Sequence, residues 1–333
     1  MAAPDQSAIL LVPYVWIGDF VRCHSVVRLI KSRTPDRPVD VLSSKLCAPL
    51  LDYMPGVRKG VVFDIPRRQA ALRLNFGLAK VLREQDYGKA IITSRKWKAA
   101  LAPALAGISE RVGFVGEWRY GLLTDVRYGE KELPRMIDQC AVLALPPEEQ
   151  RQQDWPLPDL VVPEAEVAGW RAKNGLTSET RKVVALCPGA VGPGKRWPET
   201  SYAELARRLA GEGLAVWVLG GPGEQEIARV ITGDEQFARD LTGDDLRNAI
   251  LALAAADAAV SNDSGLLHVV AAIGTPAVGL FGPTSAWHWA PLNPIAATIE
   301  APWRDESRNV TKRTTEDIPV EQVFTATMMA LAR

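Results

Sequence analysis

The sequence has few of the residues that build metal sites and disulfide frameworks. It holds four cysteines and three histidines among 333 residues. No two cysteines form a C-x-x-C pair, and no combination has the spacing of a zinc site. We therefore expect no metal site and four free cysteines in a reducing compartment.

The chain also lacks a long apolar run and a basic leader. No stretch approaches the roughly 20 apolar residues that a membrane-spanning helix needs. The first residues, MAAPDQSAILLVPYV, have no basic flank like that of a signal peptide, and their apolar part has the length of a strand. We expect a soluble, cytoplasmic protein, and the length suggests two domains.

The net charge is zero, but charge is divided unevenly along the chain. Residues 1–131 contain 21 Lys and Arg against 12 Asp and Glu, a balance of +9, and the remainder carries −9. Ordinary surface scatter is one explanation. A basic first half also suits an anionic partner, such as a phosphorylated lipid, a membrane surface or nucleic acid, although no nucleic-acid-binding module accompanies it.

Apolar runs of strand length alternate with helix-like segments in both halves. Examples are AILLVPYV and KAIITS in the first half, and KVVALCPG and AVWVLGG in the second. This alternation predicts α/β domains, each with a parallel sheet covered by helices on both faces. The Pro-rich and charged segment 145–167 is predicted to be the linker. Ligands of such sheets bind beyond the carboxyl ends of the strands.

The segment SNDSG, residues 261–265, ends one apolar run and precedes a helix. Free amides at Ser264 and Gly265, together with the helix dipole, favour an anion such as phosphate. Asp263 would repel a phosphate, so it needs another task, such as accepting hydrogen bonds from sugar hydroxyls. Capping of the helix by Asp263 or Ser264 explains the pattern equally well. His268 lies near the same helix start, where it could contact the ligand or pack inside the helix.

Three further strand ends carry polar residues. CPGAVGPGKRWPE holds Lys195, which could neutralise a pyrophosphate leaving group or could simply be a solvated basic turn. GGPGEQE lacks the third glycine of a dinucleotide fingerprint, and its Glu224 could bind ribose or favour the helix dipole. Asp19, after Gly18, could be a general base or a helix cap.

Taken together, these motifs resemble the ADP-heptose:lipopolysaccharide heptosyltransferases, glycosyltransferase family 9. The resemblance is carried by GDFVRCHSVVRLIKSRTP, PLLDYMPGV, RYGLLTD, CPGAVGPGKRWPETSYAELA and SNDSGLLHVVAAIGTPAVGLFGPT. It implies a GT-B fold, in which two Rossmann-like domains with parallel sheets face a central cleft. The expected domains are an acceptor-binding domain over 1–160 and an ADP-sugar-binding domain over 161–318. Helix 319–333 is expected to pack back on the first domain.

The resemblance also implies an activity and its residues. It implies inverting transfer of L-glycero-D-manno-heptose from ADP-heptose to a sugar of the lipopolysaccharide inner core, with no metal or other cofactor. Asp19 matches the catalytic base, and Lys195 matches the lysine at the donor phosphates. The residues expected to bind the donor are Glu224, Asp263, Ser264, Gly265, His268 and Arg196.

The acceptor implied by this family is a phosphorylated lipid core at the inner membrane leaflet. The positive charge of residues 1–131 would attract such an anionic acceptor. The candidate acceptor-binding cations are Arg67, Arg68, Arg95, Lys96, Lys98 and Arg119, although each is also explained as plain surface charge. Departures from the family pattern at WIGD and GGPGEQE leave the acceptor's identity open. Three alternatives remain: a GT-B enzyme that uses another nucleotide sugar, a sugar-nucleotide epimerase, or a non-catalytic nucleotide-sugar- or lipid-binding protein.

Overall fold

A computed structural model of the chain describes residues 7–64, 72–233 and 237–333. The chain divides into two compact units, residues 1–158 and 159–333. The described part of each unit contains one six-stranded sheet whose strands all run parallel. This is the α/β architecture that the alternation of runs predicts.

The first unit has the strand order β3-β2-β1-β4-β5-β6. Its strands are β1 (Ala8–Val12), β2 (Val39–Ser43), β3 (Lys59–Val62), β4 (Tyr87–Ile92), β5 (Glu110–Phe114) and β6 (Asp125–Arg127). Its helices are α1 (Ile17–Arg22), α2 (His24–Arg33), α3 (Ala48–Leu51), α4 (Leu72–Arg83), α5 (Trp97–Leu105) and α6 (Met136–Ala141).

The second unit has the order β12-β11-β10-β7-β8-β9. Its first strand in the sequence, β7, therefore lies in the middle of the sheet, as β1 does in the first unit. Its strands are β7 (Val183–Cys187), β8 (Ala215–Val218), β9 (Ala238–Asp240), β10 (Ala258–Asn262), β11 (Ala277–Phe281) and β12 (Ala296–Glu300). Its helices are α7 (Glu164–Lys173), α8 (Glu199–Gly211), α9 (Gln225–Thr232), α10 (Leu246–Ala255), α11 (Gly265–Ile273), α12 (Ala286–Trp289) and α13 (Val320–Leu331).

The central strands are apolar along their whole length because helices bury both of their faces. All five residues of β1, β7, β10 and β11 are buried. Because every strand in a sheet runs the same way, the loops that follow β7, β8, β10 and β11 meet at one edge of the second sheet. The loops after β1, β4 and β5 do the same in the first.

The last helix, which the resemblance assigns to the first domain, buries its apolar face in the core of the second unit. Helix α13 packs against α8, β10 and β11 of the second unit. Its apolar residues Val323 and Ala330 belong to the same buried cluster as Val260 of β10. Burial of this apolar face against the second sheet fixes the helix there.

Within the described ranges, the chain has no helix long and apolar enough to cross a membrane.

Candidate active site

The carboxyl end of β10 holds an ion pair between two predicted donor-binding residues. The Lys195 ammonium lies 2.7 Å from Oδ2 of Asp263, and both side chains are largely buried. Thr284, which follows β11, donates from Oγ1 to the same carboxylate oxygen at 2.8 Å. The structure thus joins the loops after β7, β10 and β11 through one carboxylate.

The loop that carries Lys195 is fixed by Asn262, the last residue of β10. The Asn262 amide donates to the Pro188 carbonyl at 2.7 Å, and its oxygen accepts from the Trp197 backbone N–H at 3.1 Å. The indole N–H of Trp197 donates to the Ile318 carbonyl at 3.0 Å. One side chain therefore holds both ends of the loop, which limits the positions open to Lys195.

A close backbone approach holds the middle of the same loop. The Gly194 carbonyl accepts from the Thr315 N–H at 3.0 Å. A Cβ at Gly282 would lie 2.4 Å from that carbonyl oxygen, so only glycine fits there. The buried Arg313 fixes the segment after Gly282, because it donates to the carbonyls of Gly282 and Thr284.

Helix α11 presents its N-terminus beside the ion pair. Ser264 occupies the N-cap position, but its side chain makes no capping hydrogen bond, and its hydroxyl lies 3.4 Å from that of Ser261. The Asp263 carboxylate instead pairs with Lys195 and accepts a hydrogen bond from Thr284. The capping explanation of these two side chains therefore does not hold, and Gly265 begins the helix as expected. The helix ends at Ile273 and is followed by Gly274, whose φ of +96° lies in the left-handed region that favours glycine.

The other predicted donor residues lie at or near this edge. Glu224 accepts from the Gly221 N–H at 2.9 Å, and a Cβ on Gly189 or Gly220 would press against its side chain. It therefore lies over the ends of β7 and β8. Arg196 is exposed and donates to the Ala190 carbonyl of its own loop at 2.8 Å. His268 is buried on α11.

In the first unit, Asp19 lies inside α1, whose N-cap position is held by Trp16. The capping explanation is therefore wrong for Asp19 as well. Its carboxylate pairs with the buried guanidinium of Arg22, one turn further along the helix. The aspartate is thus held as a partly exposed carboxylate at the end of β1.

Sequence reasoning missed Tyr14, which interacts with Asp19, and Glu130, which interacts with Tyr14. Burial, together with the nearby Cys140, Cys23, Glu130 and Asp19, raises the pKa of Tyr14 far above its usual value. Burial raises the pKa of Glu130, although Arg95 opposes the shift from 3.0 Å. Tyr14 lies two residues beyond the end of β1, and this position at the carboxyl end of a central strand could have identified it as a site residue.

The prediction that Arg119 binds an acceptor as a surface cation does not agree with the structure. Its side chain is buried, and it donates to the Phe114 and Ser94 carbonyls. Burial lowers its pKa to about 10. Arg119 therefore ties the loop after β4 to the loop after β5.

The remaining cations differ in their surroundings. Arg95 pairs with Glu130, which follows β6, and Lys96 pairs with Glu117 in the loop after β5. Lys98 is half-buried in the first turn of α5. Arg67 and Arg68 lie outside the described residues.

The four cysteines are buried, and none of them forms a disulfide in this structure. Burial raises the pKa of Cys187 to about 12. Among the described residues, no three His, Cys, Asp or Glu side chains are grouped so that they could hold a metal ion.

Known proteins share both the sequence and the fold. Residues 76–318 match glycosyltransferase family 9 (heptosyltransferase). The chain is 37% identical over 304 residues to lipopolysaccharide heptosyltransferase 2 of Escherichia coli, which covers 87% of each chain. It is 36% identical over 306 residues to lipooligosaccharide heptosyltransferase 2 of Haemophilus ducreyi, covering 87% of this chain and 88% of that protein. The solved structure of E. coli ADP-heptose lipopolysaccharide heptosyltransferase II superposes with a TM-score of 0.87 at 34% identity, over 98% of both chains.

Proposed function

Because this chain belongs to glycosyltransferase family 9, we propose how its residues carry out the transfer of a heptose. The chain is a glycosyltransferase with the GT-B fold, and its function is heptose transfer to the lipopolysaccharide inner core. The donor we propose is ADP-L-glycero-D-manno-heptose, and the acceptor is a sugar hydroxyl of the core.

The ion pair of Lys195 with Asp263, beside the N-terminus of α11, is the observation that carries the donor site. An ammonium and the first amides of a helix both favour a pyrophosphate. We place the donor's phosphates at Lys195, Ser264 and Gly265. Asp263 then accepts from heptose hydroxyls while it orients Lys195.

The ribose is assigned to Glu224, which lies over the neighbouring strand ends. Its Oε2 accepts from Gly221, and carboxylate acceptor capacity remains for the two ribose hydroxyls. Arg196 and His268 complete the proposed donor set.

The proposed base is Asp19. It takes the proton of the acceptor hydroxyl, whose oxygen forms a bond to the anomeric carbon. The bond from that carbon to the phosphate oxygen breaks, and its electron pair leaves with ADP. Attack from the face opposite the leaving group inverts the anomeric centre. Charge that develops on the ADP oxygen is stabilised by Lys195 and the helix amides, each oriented donor contributing a few kcal/mol.

No cofactor is included in this proposal, because Lys195 and the helix amides supply the positive charge that the leaving group needs. Transfer that is unchanged by a chelator would support this point. Transfer that stops and then returns with added Mg²⁺ would refute it.

We propose that the acceptor is a phosphorylated lipid core met at the inner face of the inner membrane by a cytoplasmic protein. The excess of positive charge in residues 1–131 supports an anionic acceptor on the first unit. Arg95, Lys96 and Lys98 remain the described candidates to meet it. Arg67 and Arg68 remain candidates from the sequence.

Calorimetric titration tests the donor assignment. The purified protein is titrated with ADP-heptose, ADP, UDP-glucose and GDP-mannose in parallel. Selective binding of ADP-heptose supports the proposal. Binding of the UDP- or GDP-sugar without ADP-heptose contradicts it and favours a GT-B enzyme that uses another donor.

A further inference from the structure

Arg22, the last residue of α1, carries a positive charge that the fold buries beside the proposed base. Only 7% of its side chain is exposed, against 18% for Asp19, with which it forms an ion pair. A buried charge is expensive unless an opposite charge compensates it, so the two side chains constrain each other. Burial also leaves Arg22 too little surface to hold a sugar or a phosphate of the acceptor. Any effect of Arg22 on transfer therefore passes through Asp19.

The backbone of α1 leaves the Asp19 carboxylate little freedom apart from rotation of its own side chain. The Asp19 carbonyl accepts from the Cys23 N–H at 3.1 Å, and the N–H of the buried Phe20 donates to the Trp16 carbonyl at 2.8 Å. Arg22 lies three residues after Asp19, on the same side of the helix, and donates to its Oδ1. This contact restricts the torsions that the backbone leaves open.

Arg22 also determines the charge around the carboxylate. The titratable groups beside the pair are Tyr14 after β1, Cys23 between α1 and α2, and Cys140 on α6. Burial raises the pKa of Tyr14 far above its usual value, and a hydrogen bond from Cys23, together with burial, raises the pKa of Cys140. Tyr14 and Cys140 are therefore uncharged at neutral pH. Arg22 places a full positive charge in direct contact with the carboxylate, which favours the ionised form of an acid.

We infer that Arg22 is the positioning residue of the base: it orients the Asp19 carboxylate for the acceptor hydroxyl and keeps it ionised in mildly acidic solution. The inference rests on the proposed function, because Arg22 has this task only where Asp19 takes the proton. A general base works only in its deprotonated form and only within hydrogen-bond reach of the proton it removes. Arg22 serves both requirements without touching the substrate.

The experiment is the pH dependence of heptose transfer by Arg22→Met and Arg22→Lys. Arg22→Met removes the charge and keeps an apolar side chain that suits a buried position. We expect kcat at neutral pH to fall about 10- to 100-fold, with the KM for the donor nearly unchanged. The acidic limb of the kcat profile should move to higher pH, because a carboxylate without an adjacent positive charge is protonated more readily. Arg22→Gln repeats the measurement if the methionine variant does not fold.

Arg22→Lys separates the charge from the geometry. Lysine keeps the positive charge but lacks the planar fork of arginine. The acidic limb should therefore stay near its wild-type position, while kcat recovers only in part.

The matched control is a second ion pair of the same kind in the first unit. Arg135 and Asp138 are also three residues apart, lie 2.7 Å from each other and have side chains that are 14% and 0% exposed. Arg135→Met should lower the melting temperature. Measured well below that temperature, its kcat and its acidic limb should equal those of the wild type.

A double-mutant cycle distinguishes failure of the inference from failure of the proposed function. Arg22→Met should slow the Asp19→Asn enzyme no further, because its effect passes through the Asp19 carboxylate. Independent, multiplying effects of the two substitutions would overturn the inference, as would an acidic limb that Arg22→Met leaves in place. A raised acceptor KM with kcat kept would also overturn it, since Arg22 would then bind the acceptor itself. Full turnover by Asp19→Asn alone would instead refute the proposed base.

Discussion

Lys195 and Asp263 are 68 residues apart in the sequence, and their charged groups lie 2.7 Å apart at the N-terminus of α11. The pairing gives Asp263 a task that is compatible with a phosphate nearby. A carboxylate alone would repel the anion, whereas one that is paired with a lysine orients the cation that meets it.

Substitution of Lys195 and substitution of Asp263 should have different effects on ADP binding. Lys195→Ala removes the cation, so we expect weaker ADP binding and transfer slowed about 10²- to 10³-fold. Asp263→Asn removes negative charge beside the proposed phosphate site, so ADP binding should be kept or tightened while transfer slows. Calorimetry with ADP and steady-state transfer rates separate the two effects. Equal loss of ADP binding in both variants would contradict this division, and Lys173→Ala is the control.

Asp19→Asn tests the base. The amide still accepts a hydrogen bond from Arg22 but cannot take a proton at neutral pH. We expect turnover to fall about 10²- to 10⁴-fold, with ADP-heptose binding and melting temperature unchanged. Asp36→Asn, at an exposed carboxylate, should have no effect. A variant that unfolds would show a structural role, and one that keeps full turnover would remove Asp19 from the mechanism.

We expect Thr284, which sequence reasoning did not single out, to act as a positioning residue for Asp263. Its hydroxyl donates to Asp263 at 2.8 Å, so Thr284→Val should loosen the ion pair without a change in side-chain size. We expect transfer to slow about tenfold, with a smaller change in melting temperature, and Thr284→Ser should restore the rate. Thr298→Val on β12 changes an exposed threonine and serves as the control. A Thr284→Ser variant as slow as Thr284→Val would show that the hydroxyl is not what matters.

Arg119→Ala should damage the fold. The variant leaves the Phe114 and Ser94 carbonyls without their donor, so we expect a loss of about 2–4 kcal/mol in unfolding free energy. Lys96→Ala, whose ion pair is exposed, should cost less than about 1 kcal/mol. Urea denaturation measures both. A stable Arg119→Ala variant with weaker acceptor binding would return Arg119 to the acceptor site.

Glu130→Gln should make stability less sensitive to pH. Burial raises the pKa of Glu130, so the folded protein prefers the protonated carboxyl more than the unfolded chain does. Stability from this preference is present below the unfolded pKa and is lost as pH rises through the folded pKa. Gln cannot ionise, so the variant should equal the wild type near about pH 4 and exceed it near about pH 8. Urea midpoints at both pH values give the comparison, and a variant less stable at the higher pH would contradict it.

The elements that depend on local pattern could be predicted from the sequence. Alternating apolar runs predict the two parallel sheets, and the structure confirms them. The bounds of α8 show where local pattern is insufficient: Ser201 and Glu204 have the spacing of a capping box, yet the helix begins at Glu199 and the left-handed residue that follows it is Gly213. Hydrogen bonds to Asn262 and to the Ile318 carbonyl hold Trp197 in place. Pro198, which follows it, occupies the N-cap position, so the helix begins before Ser201.

Long-range contacts account for what the sequence could not show. In the sequence, Arg119 cannot be distinguished from a surface cation. Its burial follows from the sheet, which brings the Ser94 carbonyl close enough to accept a hydrogen bond from it. The carboxylate of Asp263, which follows β10, pairs with Lys195 from the loop after β7. It also accepts a hydrogen bond from Thr284, which follows β11. Each of these depends on strand order, which local pattern does not encode.

The packing of α13 makes the core of the second unit depend on a helix that follows all of that unit's strands. Val323 and Ala330 share a buried cluster with Val260 of β10, so loss of α13 would leave part of this apolar core uncovered. The first unit, whose strands end at Arg127, can complete its sheet during synthesis, before α13 exists. Deletion of residues 320–331 would therefore leave a folded first unit attached to an aggregation-prone second one.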